Sequence, residues 1–417
     1  MEIGGLEMRI HDLRSEATAD RTRVAATVVW EDCDREPQEV HYDTTPEFAD
    51  DLTCDPHAFL VGAILPAIRQ GEQRIFIDAP ICPGLRNGLK TAIGWFQKWS
   101  LLGQSIRIEA GSAARYPKYI APRAGSFLSG GVDSLALIRV NRLDYPQDHP
   151  GAFRDSLFVH GFDIGGLADS GSEMPAYQLA WQAASAVAQD AGTRLIPVFT
   201  NVRHLYDEVD FWIYQFHGAA LASVAHAFSN RLSCVSIASA CNISNLSNKT
   251  THPLIEANYS SANLKLKVGS TLYSRLERVN MISDWQVALD NLRVCTLNPP
   301  GKLNCGGCEK CIRTMLQLLV SGSLDKTGVF GEQHVHPDML ERIHFTGSYQ
   351  EGWYADLIAP LTAQGHRDLA DIIQRKRREY QKRTAWEQER DWKGIVKRFD
   401  RRWLSGKLYT TYQKIRR

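Results

Sequence analysis

Apolar residues in the middle of the chain fall into short runs without alternation. Leu157–Phe162 (LFVHGF), Leu195–Phe199 (LIPVF) and Cys234–Ala238 (CVSIA) are of this kind, as is Ser126–Leu128, which enters a glycine turn. Strands covered on both faces of a parallel sheet look like this, because neither face meets water. Between the runs the period lengthens to that of a helix, over Ala176–Gln189 and Tyr214–Phe228. Strands alternating with helices predict a doubly wound, mainly parallel α/β sheet over residues 121–325. Ligands are then expected at the C-terminal ends of its strands.

The flanks differ from this centre. Residues 1–120 carry strand-like runs at Val24–Val29, Arg74–Ile77 and Ile106–Ile108, and helical stretches at His57–Arg69 and Leu85–Trp99. They predict an N-terminal α/β domain. Its nearest approach to a nucleotide motif, Gly84-Leu-Arg-Asn-Gly88-Leu-Lys90-Thr91, fails both spacings of a P-loop. Residues 326–417 predict a helical, basic extension in which Trp386, Trp392, Trp403, Tyr409 and Tyr412 stand among the charges.

Charge adds one thing to this division. The 417 residues carry 48 Lys and Arg against 47 Asp and Glu, yet Arg367–Arg417 alone holds 17 basic and 7 acidic residues. The tail either meets nucleic-acid phosphates or an acidic partner, or forms a solvated helical face with its aromatics packed back. The interleaved acids favour the second reading. No run approaches the ~20 apolar residues of a membrane helix. The N-terminus lacks the basic and apolar regions of a signal peptide. A cytoplasmic protein is expected.

The string Phe127-Leu-Ser-Gly-Gly-Val-Asp-Ser134 carries the most chemistry. A strand runs into Ser129-Gly130-Gly131, and a helix is predicted to open at about Asp133. Two glycines allow a sharp turn and close approach of a ligand. The helix presents unpaired N–H groups and the positive end of its dipole, and Ser129 and Ser134 add hydroxyls. Together they make an anion cradle. A plain Gly-Gly turn with a helix cap is the duller alternative.

Four of the nine cysteines lie within 17 residues, as Cys295-x9-Cys305-x2-Cys308-x2-Cys311. Four thiolates at these spacings suit one tetrahedral Zn²⁺, closed by protein and hence structural. Gly306 and Gly307 let the chain wrap, and Cys308 and Cys311 share one side of an opening helix. A redox Cys-x-x-Cys or buried free thiols fit the fourfold cluster less well. Cys33, Cys54, Cys82, Cys234 and Cys241 are scattered and read as inert.

The string Ser129–Ser134 resembles the PP-loop of the ATP pyrophosphatase family, which cleaves ATP between its α and β phosphates. The resemblance implies that Ser129, Gly130, Gly131, Val132, Asp133 and Ser134 hold ATP with Mg²⁺, with Asp133 catalytic. Loop, about 165 residues of α/β sequence, cysteine cluster and Arg313 together resemble 7-cyano-7-deazaguanine synthase, over residues 121–325. Those enzymes adenylate 7-carboxy-7-deazaguanine; ammonia gives an amide, and a second activation gives the nitrile. The chain departs from the family at Gly161–Gly166, where a Tyr-Gly-Gln-x-His segment is usual. It departs again at Ala238–Pro253, where Ser-Gly-Tyr-Pro-Asp-Cys is usual. Longer proteins of this layout resemble those of bacterial antiviral operons, which implies an amide bond to the N-terminal amine of a partner protein. The free nitrile, a tRNA-modifying PP-loop activity and an ATP-binding scaffold without turnover are the alternatives.

Further residues are weighed on position alone. Asp163 follows the second strand, where it contacts magnesium or ribose or caps its loop. Lys249 is a candidate electrostatic catalyst or a solvated loop lysine. Arg275 and Arg278 share a helix face and reach a phosphate or carboxylate, unless Glu277 pairs with them internally. His252 fixes a turn before Pro253, and Arg293 and Arg313 anchor the cysteine segment.

Overall fold

The computed structural model describes residues 8–112, 122–164, 174–246, 248, 251–345 and 347–390. Two compact units divide the chain, Met1–His334 and Val335–Arg417. The predicted extension from residue 326 thus begins nine residues later.

In the first unit, β1 (Arg9–Ala17), β2 (Thr22–Val29) and β3 (Gln38–Thr44) form an antiparallel meander. Helix α1 (Pro56–Gln70), strand β4 (Arg74–Ile81), helix α2 (Pro83–Lys98) and strand β5 (Arg107–Ser112) follow, with β4 parallel to both β1 and β5. Asp55 caps α1 by accepting from the His57 amide at 2.9 Å. Gly84–Thr91, the rejected P-loop string, lies inside α2.

The central zone runs β6 (Ala124–Phe127), α3 (Val132–Asp144), β7 (Phe153–His160), α4 (Met174–Ala191), β8 (Arg194–Thr200), α5 (His217–Ala227), β9 (Cys234–Ala238) and β10 (Lys265–Gly269). The apolar runs read as strands are β6–β9, within a few residues. All five strands are parallel, in the order β10-β9-β6-β7-β8. The chain steps outward from β6 to β8, then returns to the other side of β6. Right-handed crossovers therefore put α3 and α4 on one face and α5 on the other, the doubly wound arrangement that the pattern predicts. Along that second face α1, α2 and α5 share one apolar core with the strands.

The N-terminal zone is joined to this layer by the sheet itself. β3 pairs antiparallel with β8 through Tyr42 with Thr200 and Asp43 with Phe199, making one sheet of ten strands among the described residues. The pairing is short for a physical reason. Pro197, inside β8, has no N–H to offer a further ladder bond; its carbonyl instead accepts from the Thr44 hydroxyl at 2.7 Å.

After β10 come α6 (Arg275–Ile282), opened by a capping box of Ser274 and Glu277, and α7 (Glu309–Val320). In the second unit, a short helix Pro337–Glu341 and α8 (Ser348–Ala363) pack on α9 (Arg367–Arg390). Leu340, Tyr354, Leu357, Leu361, Leu369 and Ile373 are buried there. Basic residues of α9 have partners within the unit. Arg375 pairs with Glu341 and Glu379, Arg377 meets Glu351 at 2.6 Å, and the Arg383 guanidinium donates to the Phe345 carbonyl at 2.7 Å. Trp392, Trp403, Tyr409 and Tyr412 lie outside the described residues.

Candidate functional site

The order of the parallel strands reverses between β6 and β9, and their C-terminal ends open the crevice where ligands of such sheets bind. The loop Ser129–Gly131 leaves β6 directly into that crevice. Gly130 has φ +77°, the left-handed region that an L side chain enters at a cost, and a Cβ there would stand 3.4 Å from Cβ of Arg293. Gly131 is the extended N-cap of α3 and no side chain caps the helix, so its first-turn amides keep the polarity that attracts anions. The Ser129 hydroxyl lies 3.2 Å from that of Ser134 and accepts from the Gly131 amide at 3.3 Å; Ser134 donates to the Gly131 carbonyl at 2.9 Å. Two serines thus hold the turn in shape.

Asp133, Arg275 and Arg278 come together here. Arg275 meets one oxygen of Asp133 at 2.6 Å and Arg278 the other at 2.9 Å. Burial by itself would raise the Asp133 pKa, but the attraction of Arg275 and then Arg278 outweighs it and the pKa is lowered. Arg278 is fully buried and also donates to the carbonyls of Ser239, at 2.6 Å, and Ser270, at 2.9 Å. One guanidinium therefore ties the loops after β9 and β10 to the helix after β6. Both arginines keep a buried Nε–H without an acceptor among the described residues. The trio carries a surplus positive charge beside the glycine loop. Glu277, the alternative partner weighed from sequence, instead closes the capping box with Ser274. Both Asp133 oxygens accept from arginine.

The four cysteines converge. Their Sγ atoms all lie within 4.8 Å of one another, with Cys308 3.4 Å from Cys311 and 3.9 Å from Cys295, and Cys305 3.9 Å from Cys311. A tetrahedral zinc with Zn–S bonds of about 2.3 Å puts its sulfurs about 3.8 Å apart. Four thiols this close suit a metal ion such as zinc. Gly306, at φ +73°, passes so close to Phe330 that a Cβ would stand 2.7 Å from its carbonyl oxygen. Hydrogen bonding from Cys311 draws the Cys308 thiol down to about 5, while burial raises Cys295. Buried Asn304 fixes the approach: its Oδ1 accepts from the amides of Val294, at 2.8 Å, and Cys295, at 3.1 Å, and its Nδ2 donates to the Leu292 carbonyl at 2.7 Å.

Loop and cluster are neighbours, which sequence alone does not reveal. The Arg293 amide donates to the Gly130 carbonyl at 2.9 Å. Asn298, itself left-handed at φ +47°, accepts from Arg293 Nη2 at 2.7 Å and donates to the Asp163 carbonyl at 3.0 Å. Asp163 is exposed just past β7. Burial lowers the pKa of nearby His217, which follows the π-helical turn Trp212–Phe216. His252 accepts from the Leu254 amide at 3.2 Å and so fixes its turn, as expected. Lys249 and Gly165–Gly166 lie outside the described residues.

A second cluster, Asp55, His57 and His226, has a structural explanation. His57 Nε2 accepts from the Cys82 amide at 2.9 Å, which leaves its proton on Nδ1, 2.8 Å from Asp55. His226 Nε2 bonds the Tyr259 carbonyl at 2.8 Å. No His57 lone pair remains for a metal.

No helix among the described residues is long and apolar enough to cross a membrane. Comparisons with protein-family models, with curated proteins and with solved structures give no match to this chain.

Proposed function

We propose that the first unit is an ATP-dependent ligase that adenylates a carboxylate and passes the acyl group to an amine. The observation that carries this reading is the loop Ser129–Ser134, set at the strand-order reversal and backed by two arginines sharing one carboxylate. The amides of the α3 N-terminus and the surplus charge of Arg275 and Arg278 suit a pyrophosphate. The resemblance of the loop and the cysteine cluster to 7-cyano-7-deazaguanine synthase points to 7-carboxy-7-deazaguanine as the carboxylate.

In the first step a carboxylate oxygen attacks the α-phosphorus of ATP, the bond to the β-phosphate breaks, and pyrophosphate leaves. In the second, an amine nitrogen attacks the acyl carbon, AMP departs and the amine loses a proton to solvent. The loop and the arginines stabilise charge on the departing pyrophosphate, and positioning supplies much of the remaining rate. Asp133 acts by holding both arginines at the helix N-terminus. Zinc, when bound, fixes the fold of the cysteine segment.

For the acceptor, the reading favours the N-terminal amine of a partner protein in an antiviral setting. Ile243 after β9, Leu272 after β10 and Leu297 between the first two cysteines stand 64%, 73% and 68% exposed. Such exposed apolar side chains suit a protein acceptor and are superfluous for ammonia. Free nitrile formation is the second reading. Mass spectrometry of products formed from ATP, Mg²⁺ and 7-carboxy-7-deazaguanine, with ammonium and then with candidate proteins, separates the two. A mass shift on a protein supports conjugation, and a free nitrile supports synthesis. AMP formation that depends on RNA would move the assignment to tRNA modification, and ATP binding without pyrophosphate would move it to a scaffold.

A further inference from the structure

We infer that Asn298 couples the four-cysteine cluster to the anion loop, so that a metal held by the cysteines keeps the loop in its anion-binding shape. The inference deepens the ATP-binding reading and rests on it for the identity of the anion. Its basis is a short path of contacts. Cys295 is a candidate ligand, and its amide is bonded to Asn304, which also holds the Leu292 carbonyl. Arg293 lies between these two anchored residues, and its amide holds the Gly130 carbonyl at 2.9 Å. Gly130 needs such a hold, because its φ of +77° lies in a region that a flexible glycine leaves as readily as it enters.

Asn298 completes the brace from the other side. Its amide group joins the Arg293 guanidinium to the carbonyl of Asp163, beyond β7. One side chain thus ties the segment between the first two cysteines to the loop after β7 and to Arg293, whose amide holds the loop after β6. A left-handed asparagine costs little compared with other side chains. Drawing Cys295 and Cys305 onto one metal closes the nine-residue segment that contains Asn298. Release of the metal frees that segment, and Arg293 with it. By linkage, whatever the metal does for the loop's anion affinity, the anion does for metal retention.

The test uses the full chain and two variants, Asn298→Gly and Asn304→Gln. Asn298→Gly keeps the left-handed backbone accessible while removing both side-chain bonds. Hydrogen exchange at the amides of Gly130 to Ser134 is measured without nucleotide, before and after zinc is stripped with a chelator. ATP·Mg²⁺ affinity is then measured by calorimetry on the same samples. Coupling predicts faster loop exchange on stripping and in zinc-loaded Asn298→Gly, with ATP affinity down roughly 5- to 150-fold. Asn304→Gln, which disturbs the Cys295 approach, should lose zinc and show the same loop response. Loop exchange that ignores both zinc removal and Asn298→Gly, in protein that stays folded, overturns the coupling. A loop that loosens on stripping in a protein that binds no ATP when loaded upholds the coupling and overturns the ATP reading.

Discussion

The Asp133 carboxylate and the Arg278 guanidinium, 145 residues apart in sequence, meet at 2.9 Å with the arginine wholly buried. In the proposed reading, this pair, shared with Arg275, is what turns a glycine-rich turn into a charged anion site. Replacing Asp133 by Asn would keep the shape and remove the charge that balances Arg278. Uncompensated buried charge typically costs roughly 3–5 kcal/mol; the low end is expected, since 29% of the Asp133 side chain is exposed. Urea unfolding of Asp133→Asn measures the loss. Retained stability together with retained pyrophosphate release would remove Asp133 from the site.

The same carboxylate gives a pH signature. Its folded pKa is lowered, so its contribution to stability is fully present above the unfolded value of about 3.9 and is lost as pH falls below it. The wild type should therefore lose its advantage over Asp133→Asn as pH falls below about 4. A stability gap unchanged across that fall contradicts the ion-pair account.

Glu256 behaves oppositely. Burial pushes its pKa up to about 8, while its carboxylate accepts from the His252 amide at 2.6 Å. A raised folded pKa means that the contribution is present below the unfolded value, near 4.3, and is lost as pH rises towards 8. Glu256→Gln should stabilise the protein at pH 8 by on the order of 2–4 kcal/mol, since each tenfold in proton affinity is about 1.4 kcal/mol. It should change little at pH 4. Thermal melts of both proteins across this range provide the check.

Gly130→Ala tests the turn. An alanine in the left-handed region costs about 1–2 kcal/mol, and its Cβ would stand 3.4 Å from that of Arg293, in contact without a clash. ATP affinity should fall about tenfold while the melting temperature drops only modestly. Unchanged nucleotide binding would place the ligand elsewhere.

Cys308→Ser should abolish binding of about one zinc per chain and lower the melting temperature. Metal analysis by mass spectrometry and a thermal melt are sufficient. Full zinc content in the variant would remove Cys308 from the ligand set.

How much of this was legible in the sequence follows from what each feature depends on. Ser129–Ser134 and the four cysteines were readable because their chemistry is local: a few neighbouring residues decide a turn or a knuckle. Strands β6–β9 showed themselves as apolar runs because both their faces are covered. β1 was not legible. A bulge between His11 and Arg14, with Asp12 at φ +54°, breaks its alternation, and its charged residues face solvent. β3 has too little alternation to stand out, yet its two residue pairs with β8 merge into one sheet what sequence divides at about residue 120. The destination of Arg275 and Arg278 was hidden because pairing with Asp133 spans more than 140 residues. Asn298 gave no signal either, since an asparagine in a loop looks the same with or without two structural bonds.

The central claim, cleavage of ATP between its α and β phosphates to activate a carboxylate, is tested most directly by isotope exchange. Purified protein is incubated with ATP, Mg²⁺ and labelled pyrophosphate, with and without 7-carboxy-7-deazaguanine, and the label in ATP is followed. The account predicts exchange that requires the carboxylate and is lost in Asp133→Asn. Exchange absent under all conditions, or ADP and orthophosphate as the only products, would contradict it.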